Sequence, residues 1–92
     1  MNYSVFYPTK ISELTDIYND NIDVCITLEN GETYTFVFIT PKNLEFLMQK
    51  ENVPYIDPCF RFFVVERISK DVIEAVLQNL ISDKHLLQEY GS

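Results

Sequence analysis

Glycine is nearly missing from this chain: Gly31 and Gly91 are the only two in 92 residues. That excludes the phosphate-cradling loops, which need repeated glycines for close backbone approach. Histidine occurs once, at His85, and tryptophan not at all. A general base needs an orienting group and a nucleophile beside it. His85 has only Asp83 and Lys84 as near neighbours, and Cys59 is a partner only if the fold brings the two together; a surface histidine is the simpler reading. The two cysteines, Cys25 and Cys59, are too far apart for a zinc or redox motif. Asn19, Asn21 and Asp23 imitate the start of a calcium loop. Val24 then stands where the loop needs glycine, and Asn30 where it needs glutamate, so a turn entering a strand is expected instead. No metal and no cofactor are expected.

Long apolar runs are also lacking, so no membrane span is expected. The opening "MNYSVFYPTK" has neither a basic start nor an apolar core, which argues against a secretory leader. The expectation is a cytoplasmic chain with reduced thiols.

Positive charge is absent from Ile11 to Pro41, where six acids (Glu13, Asp16, Asp20, Asp23, Glu29, Glu32) meet no lysine or arginine. The net charge is −7. Such a surface repels phosphate, so nucleic-acid binding is not expected. It is suited to solubility, and also to attracting a basic protein. Glu13, Asp16, Asp20 and Asp23 are the candidate residues for that contact.

What the chain has in plenty is apolar and aromatic matter: 47% hydrophobic, with seven Phe and six Tyr. That is too apolar for disorder. The length supports one domain, 1–92, with no room for a second core. "YSVFY" at 3–7 favours a strand, ended by Pro8. Ile11, Leu14 and Tyr18 fall at helical spacing, suggesting a short helix or an irregular excursion. Thr40-Pro41 is a helix start, with Leu44, Leu47 and Met48 as its apolar stripe and Asn52 and Pro54 as its stop. "FRFFVVER" at 60–67 reads as a strand. The strand–helix–strand order from Thr33 to Arg67 allows a crossover into a parallel pair. Ser69 is placed to cap a last helix whose stripe is Val72, Ile73, Val76, Leu77, Leu80 and Ile81. The fold class expected is α+β: a small twisted sheet built on a hairpin plus a third strand, packed with two main helices.

The hairpin is "LENGETYTFVF" with its flanks. Residues 22–28 and 33–39 alternate with period two around Asn30-Gly31, the strongest short signal for a tight turn. A two-residue loop would set Glu29 against Glu32, Val24 against Val37 and Cys25 against Phe36. One face would then hold Ile22, Val24, Ile26, Leu28, Val37 and Ile39, and the other Tyr34, Phe36 and Phe38. Two apolar faces need two covers. Either the 3–7 and 9–18 segments supply the second, or the aromatic row lies open and builds a homodimer; the second outcome is the expectation.

The loop "PYIDPCFRF" gathers Tyr55, Asp57, Cys59 and Arg61 among prolines, a combination able to shape a small-molecule pocket, although anchoring of the loop by Tyr55 and Ile56 explains it as well. "LENGETYTF", "TPKNLEFLMQKE", the entry from Pro58 to Val65 and the closing "LLQEYG" resemble a family of small uncharacterised bacterial α+β proteins. That resemblance implies a fold and a bacterial cytoplasmic setting. It transfers no catalytic residue. The functional expectation is a protein-interaction domain rather than an enzyme, in one form an acidic inhibitor or immunity-type protein that masks a basic partner. The alternative is a small-molecule-binding domain or minor enzyme using the 54–62 loop.

Overall fold

A computed structural model of the chain describes residues 2–56 and 62–83. The strands are β1 (Tyr3–Phe6), β2 (Asn21–Leu28), β3 (Thr33–Ile39) and β4 (Phe62–Val64). They form one open sheet in the order β1-β2-β3-β4, antiparallel except for the β3–β4 pair. Helix α1 (Pro41–Glu51) makes the crossover between the two parallel strands, and α2 (Lys70–Ile81) follows β4. The α+β expectation holds, with one addition: β1 is a full member of the sheet through its pairing with β2. The 9–18 segment contributes a single 3-10 turn, Ile11–Glu13, within an irregular excursion.

The hairpin departs from the expected register by one residue. Gly31 adopts φ +90° and its N–H donates to Leu28 C=O at 2.9 Å, while Leu28 N–H donates to Glu32 C=O at 2.8 Å. The loop is therefore three residues, Glu29-Asn30-Gly31, with glycine supplying the positive φ that closes it. Asn30 Oδ1 accepts from Glu32 N–H at 2.9 Å and stiffens the turn. Val24 now stands opposite Phe36 and Ile22 opposite Phe38, whereas Asp23 meets Val37 and Cys25 meets Thr35. A one-residue shift moves an entire strand's side chains to the other face. Tyr34, Phe36 and Phe38 thus join Ile22, Val24, Ile26 and Leu28 on a single apolar face. The other face carries Asp23, Cys25, Thr27, Thr33, Thr35 and Val37.

The expectation of two apolar faces is corrected accordingly. Phe36 is 1% exposed and Phe38 fully buried, so the aromatic row is no open patch. The physical reason is area. The three-residue loop lets both strands bury their large side chains against one layer, and each phenylalanine so buried is worth about 1.5–3 kcal/mol.

That layer is α2 with the excursion before β2. Ile73, Leu77, Leu80 and Ile81 of the helix are buried in the same core as Val24, Ile26, Phe36 and Phe38, together with Val65 and Ile68. Tyr3, Val5, Ile11, Leu14, Ile17 and Phe63 pack against it from partly exposed positions. Phe63 stands edge-on to Phe36 at 5.8 Å and tilted against Phe38 at 5.6 Å between ring centres. The expected stripe of α2 is therefore the observed one. Ile39 is buried too, on the opposite face by alternation and outside that core, directly before α1. The half-buried Leu44, Leu47 and Met48 of α1 likewise pack apart from the α2 core.

Helix ends follow their signals. Thr40 Oγ1 accepts from Asn43 N–H at 3.3 Å, and Pro41 occupies the first helical position. Asn52 stops α1 in the left-handed region (φ 55°), with Val53 N–H returning to Met48 C=O at 3.0 Å. Ser69 sits at the cap position of α2 but does not bond its backbone. Its hydroxyl donates instead to the Asp71 carboxylate. Among the described residues no helix is long and apolar enough to cross a membrane.

Candidate functional site

The polar chemistry of the chain starts at the β3–α1 junction. Thr40 is fully buried. Its hydroxyl accepts from Asp20 N–H at 3.3 Å and lies 3.4 Å from Asp20 C=O, to which Thr40 N–H also donates at 3.2 Å. One turn on, the buried Asn43 carboxamide accepts from Asn21 Nδ2 at 2.7 Å and donates to Asn19 Oδ1 at 3.1 Å. These contacts pin the turn before β2 to the start of α1. Every side chain in the network has a partner, so the network is a closed tie, not an open site. Asn19 and Asn21, the would-be calcium ligands, spend their side chains on Asn43. No group of three or more His, Cys, Asp or Glu able to hold a metal occurs among the described residues.

The acidic candidates divide by task. Asp16 accepts from Tyr18 N–H at 2.9 Å and pairs with Lys42 at 3.8 Å. Asp20 accepts from Asn21 N–H at 2.8 Å and is half-buried. Glu13 and Asp23 are exposed, Glu13 on the 3-10 turn and Asp23 on the polar face of β2. The ion pairs within the described residues are Lys42–Asp16, Arg67–Glu66 and Arg67–Asp71. Glu13, Asp23, Glu29, Glu45, Glu51 and Glu74 are therefore exposed carboxylates with no described lysine or arginine in contact. At the hairpin tip, Glu32 accepts from the Tyr34 hydroxyl at 2.7 Å, which raises the phenol's pKa above its usual 10. The Ser69 hydroxyl, aided by the Arg67 guanidinium, lowers the pKa of Asp71.

Of the pocket candidates, Tyr55 is exposed; Asp57, Cys59 and Arg61 lie outside the described residues. So does His85. An open groove of about 370 Å³ runs along the end of α1, lined by Glu45, Met48, Gln49, Asn52, Val53 and Pro54 but not by Tyr55. A second cavity, of about 290 Å³, is lined by Tyr7, Lys10, Ile11, Ser12 and Lys70. Lys70 Nζ stands 5.9 Å from the Tyr7 ring centre, within cation–π range. The Tyr7 hydroxyl is buried without a hydrogen-bond partner among the described residues. Burial, reinforced by the charge of Glu74, pushes that phenol's pKa up. Sequence reasoning missed this cavity because Tyr7 and Lys70 meet only through the packing of α2, and no local pattern joins them.

No family model, no curated protein and no solved structure matches the chain.

Proposed function

We propose that this chain is a non-enzymatic protein-interaction domain whose acidic surface engages a basic partner protein, in one form by masking it as an inhibitor. The observation that carries the reading is the set of exposed carboxylates with no lysine or arginine in contact among the described residues: Glu13, Asp23, Glu29, Glu45, Glu51 and Glu74. Unpaired exposed carboxylates add little to stability, and their shared sign speeds encounter with an oppositely charged surface. Their attraction is screened over about 8 Å at physiological salt, so the complex should weaken as salt rises.

The test is a pulldown from the source cells at low and high salt, with the captured protein purified and its affinity measured directly. Charge reversal belongs at Glu13 and Asp23, because Asp16 and Asp20 also hold backbone N–H groups of their own turns. The reading expects a lysine- and arginine-rich partner, lost at high salt and weakened at least tenfold by Glu13→Lys with Asp23→Lys. Binding unchanged by both reversals and by salt would refute it.

A second reading is favoured by the groove at the end of α1, whose volume falls in the range of small-molecule sites. A ligand bound there would raise the melting temperature, and trimming the groove's own lining by Met48→Ala or Gln49→Ala would lessen the rise.

A further inference from the structure

The sheet has two edges, and they are not equally protected. The β4 edge, Phe62–Val64, is three residues long among the described residues. The β1 edge, Tyr3-Ser4-Val5-Phe6, has no charge, no proline and no bulge in its pairing with β2. Charges, prolines and bulges are the usual devices that keep an edge strand from adding another strand. Their absence stands out in a chain of net charge −7. Phe6 adds to it: it is 65% exposed, on the face turned away from the α2 core.

The hydrogen-bond phase of β1 says which groups the edge offers. Glu29 N–H donates to Asn2 C=O at 3.2 Å, which makes Asn2 and Glu29 a bonded pair in the β1–β2 register. Bonded and non-bonded pairs alternate in an antiparallel ladder. Ser4 and Phe6 therefore spend their backbone groups on β2, while Tyr3 and Val5, and Tyr7 next in the alternation, turn theirs outward. No backbone hydrogen bond to those outward groups occurs among the described residues.

We infer that the β1 edge pairs with the β1 edge of a second copy of this chain, antiparallel and centred on Val5. This surface is independent of the acidic contact proposed above. The register is self-complementary. Val5 faces its own mate, Tyr3 faces Tyr7 and Ser4 faces Phe6, so all the outward groups meet one another and form about six backbone bonds. Residues directly opposite share a face, so both α2 layers lie on the same side and the two sheets become one. On the other side each Phe6 packs over the small Ser4 and lies diagonal to its mate, within reach of an aromatic ring. Tyr3 of one copy meets Tyr7 of the other, where the buried Tyr7 hydroxyl lacks a partner among the described residues. A second copy fits this edge better than an arbitrary strand because bulk meets small residue in this register and no charge enters the seam.

Light scattering over a dilution series, joined to amide hydrogen exchange, tests the pairing. The expected mass rises from the 10.8 kDa of one chain to twice that by high micromolar concentration. The Val5 amide should exchange at least tenfold more slowly in the concentrated sample than in the dilute one. Val5→Pro removes an outward donor that β2 does not use, and proline is tolerated where an edge N–H faces solvent. That variant should remain a folded monomer at every concentration. A monomeric mass for the natural chain at high micromolar concentration would overturn the inference. So would a folded Val5→Pro variant that still dimerises, or, should that variant fail to fold, a Val5 amide in the natural dimer whose exchange ignores concentration.

Discussion

Replacing Phe38 by alanine and, separately, Val37 by alanine should give very unequal losses of stability. Phe38 is fully buried, and Phe63 lies 5.6 Å away between ring centres. Emptying that site should cost about 3–5 kcal/mol, the transfer of the ring plus the cavity it leaves. Val37 is half-buried on the opposite face, opposite Asp23. Trimming it removes two methyl groups that are only partly out of water, about 1 kcal/mol. A domain of this size holds roughly 5–15 kcal/mol in total. Phe38→Ala should therefore lower the melting temperature by more than about 10 °C, and Val37→Ala by several degrees. Urea denaturation followed by circular dichroism reads both. With a two-residue loop the roles reverse, because Val37 would face Val24 and Phe38 would look away from it. A Val37→Ala loss equal to or larger than the Phe38→Ala loss would refute the observed register and the one-sided sheet that depends on it.

Gly31→Ala meets no steric obstacle but forces φ +90° on a residue with a side chain; it should cost about 1–2 kcal/mol by denaturation. Asn30→Ala should cost less, since Asn30 keeps negative φ and loses only its bond to Glu32 N–H. Thr40→Val deletes the cap of α1 and the acceptor of Asp20 N–H, and should cost about 1–2 kcal/mol with the α1 amides exchanging faster. The raised phenol of Tyr7 stabilises the fold fully below the ordinary tyrosine pKa and loses that contribution as pH climbs through the raised value. Alkaline unfolding should therefore set in above about pH 10, and Tyr7→Phe should lessen its pH dependence.

Much of the fold was legible in local chemistry. Thr40-Pro41 announced α1, Asn52 and Pro54 ended it, and the period from Val72 to Ile81 gave α2 its buried face. The hairpin was legible as a hairpin but not in its register. Asn30-Gly31 fits a two-residue turn with both residues at positive φ, or a three-residue turn with glycine alone there. The choice between them rests on burying Phe36 and Phe38 under α2, a tertiary gain that no window of sequence contains. The acidic candidates were legible as charges. Their division was not, because Asp16 and Asp20 take up turn hydrogen bonds while Glu13 and Asp23 stay free in solvent. The β1 edge escaped notice for a related reason: "YSVFY" reads as a strand, but its place at the end of the sheet is a property of topology.

Proton–proton contacts across the hairpin test the one-sided sheet most directly. Leu28 N–H donating to Glu32 C=O makes those two a bonded pair, so Thr27–Thr33, Cys25–Thr35 and Asp23–Val37 are the non-bonded pairs. Their α-carbons approach to about 4.5 Å, the spacing at which α-protons give strong nuclear Overhauser effects. The account predicts strong α–α effects between Cys25 and Thr35 and between Asp23 and Val37. Effects linking Ile26 with Thr35, or Val24 with Val37, would contradict it.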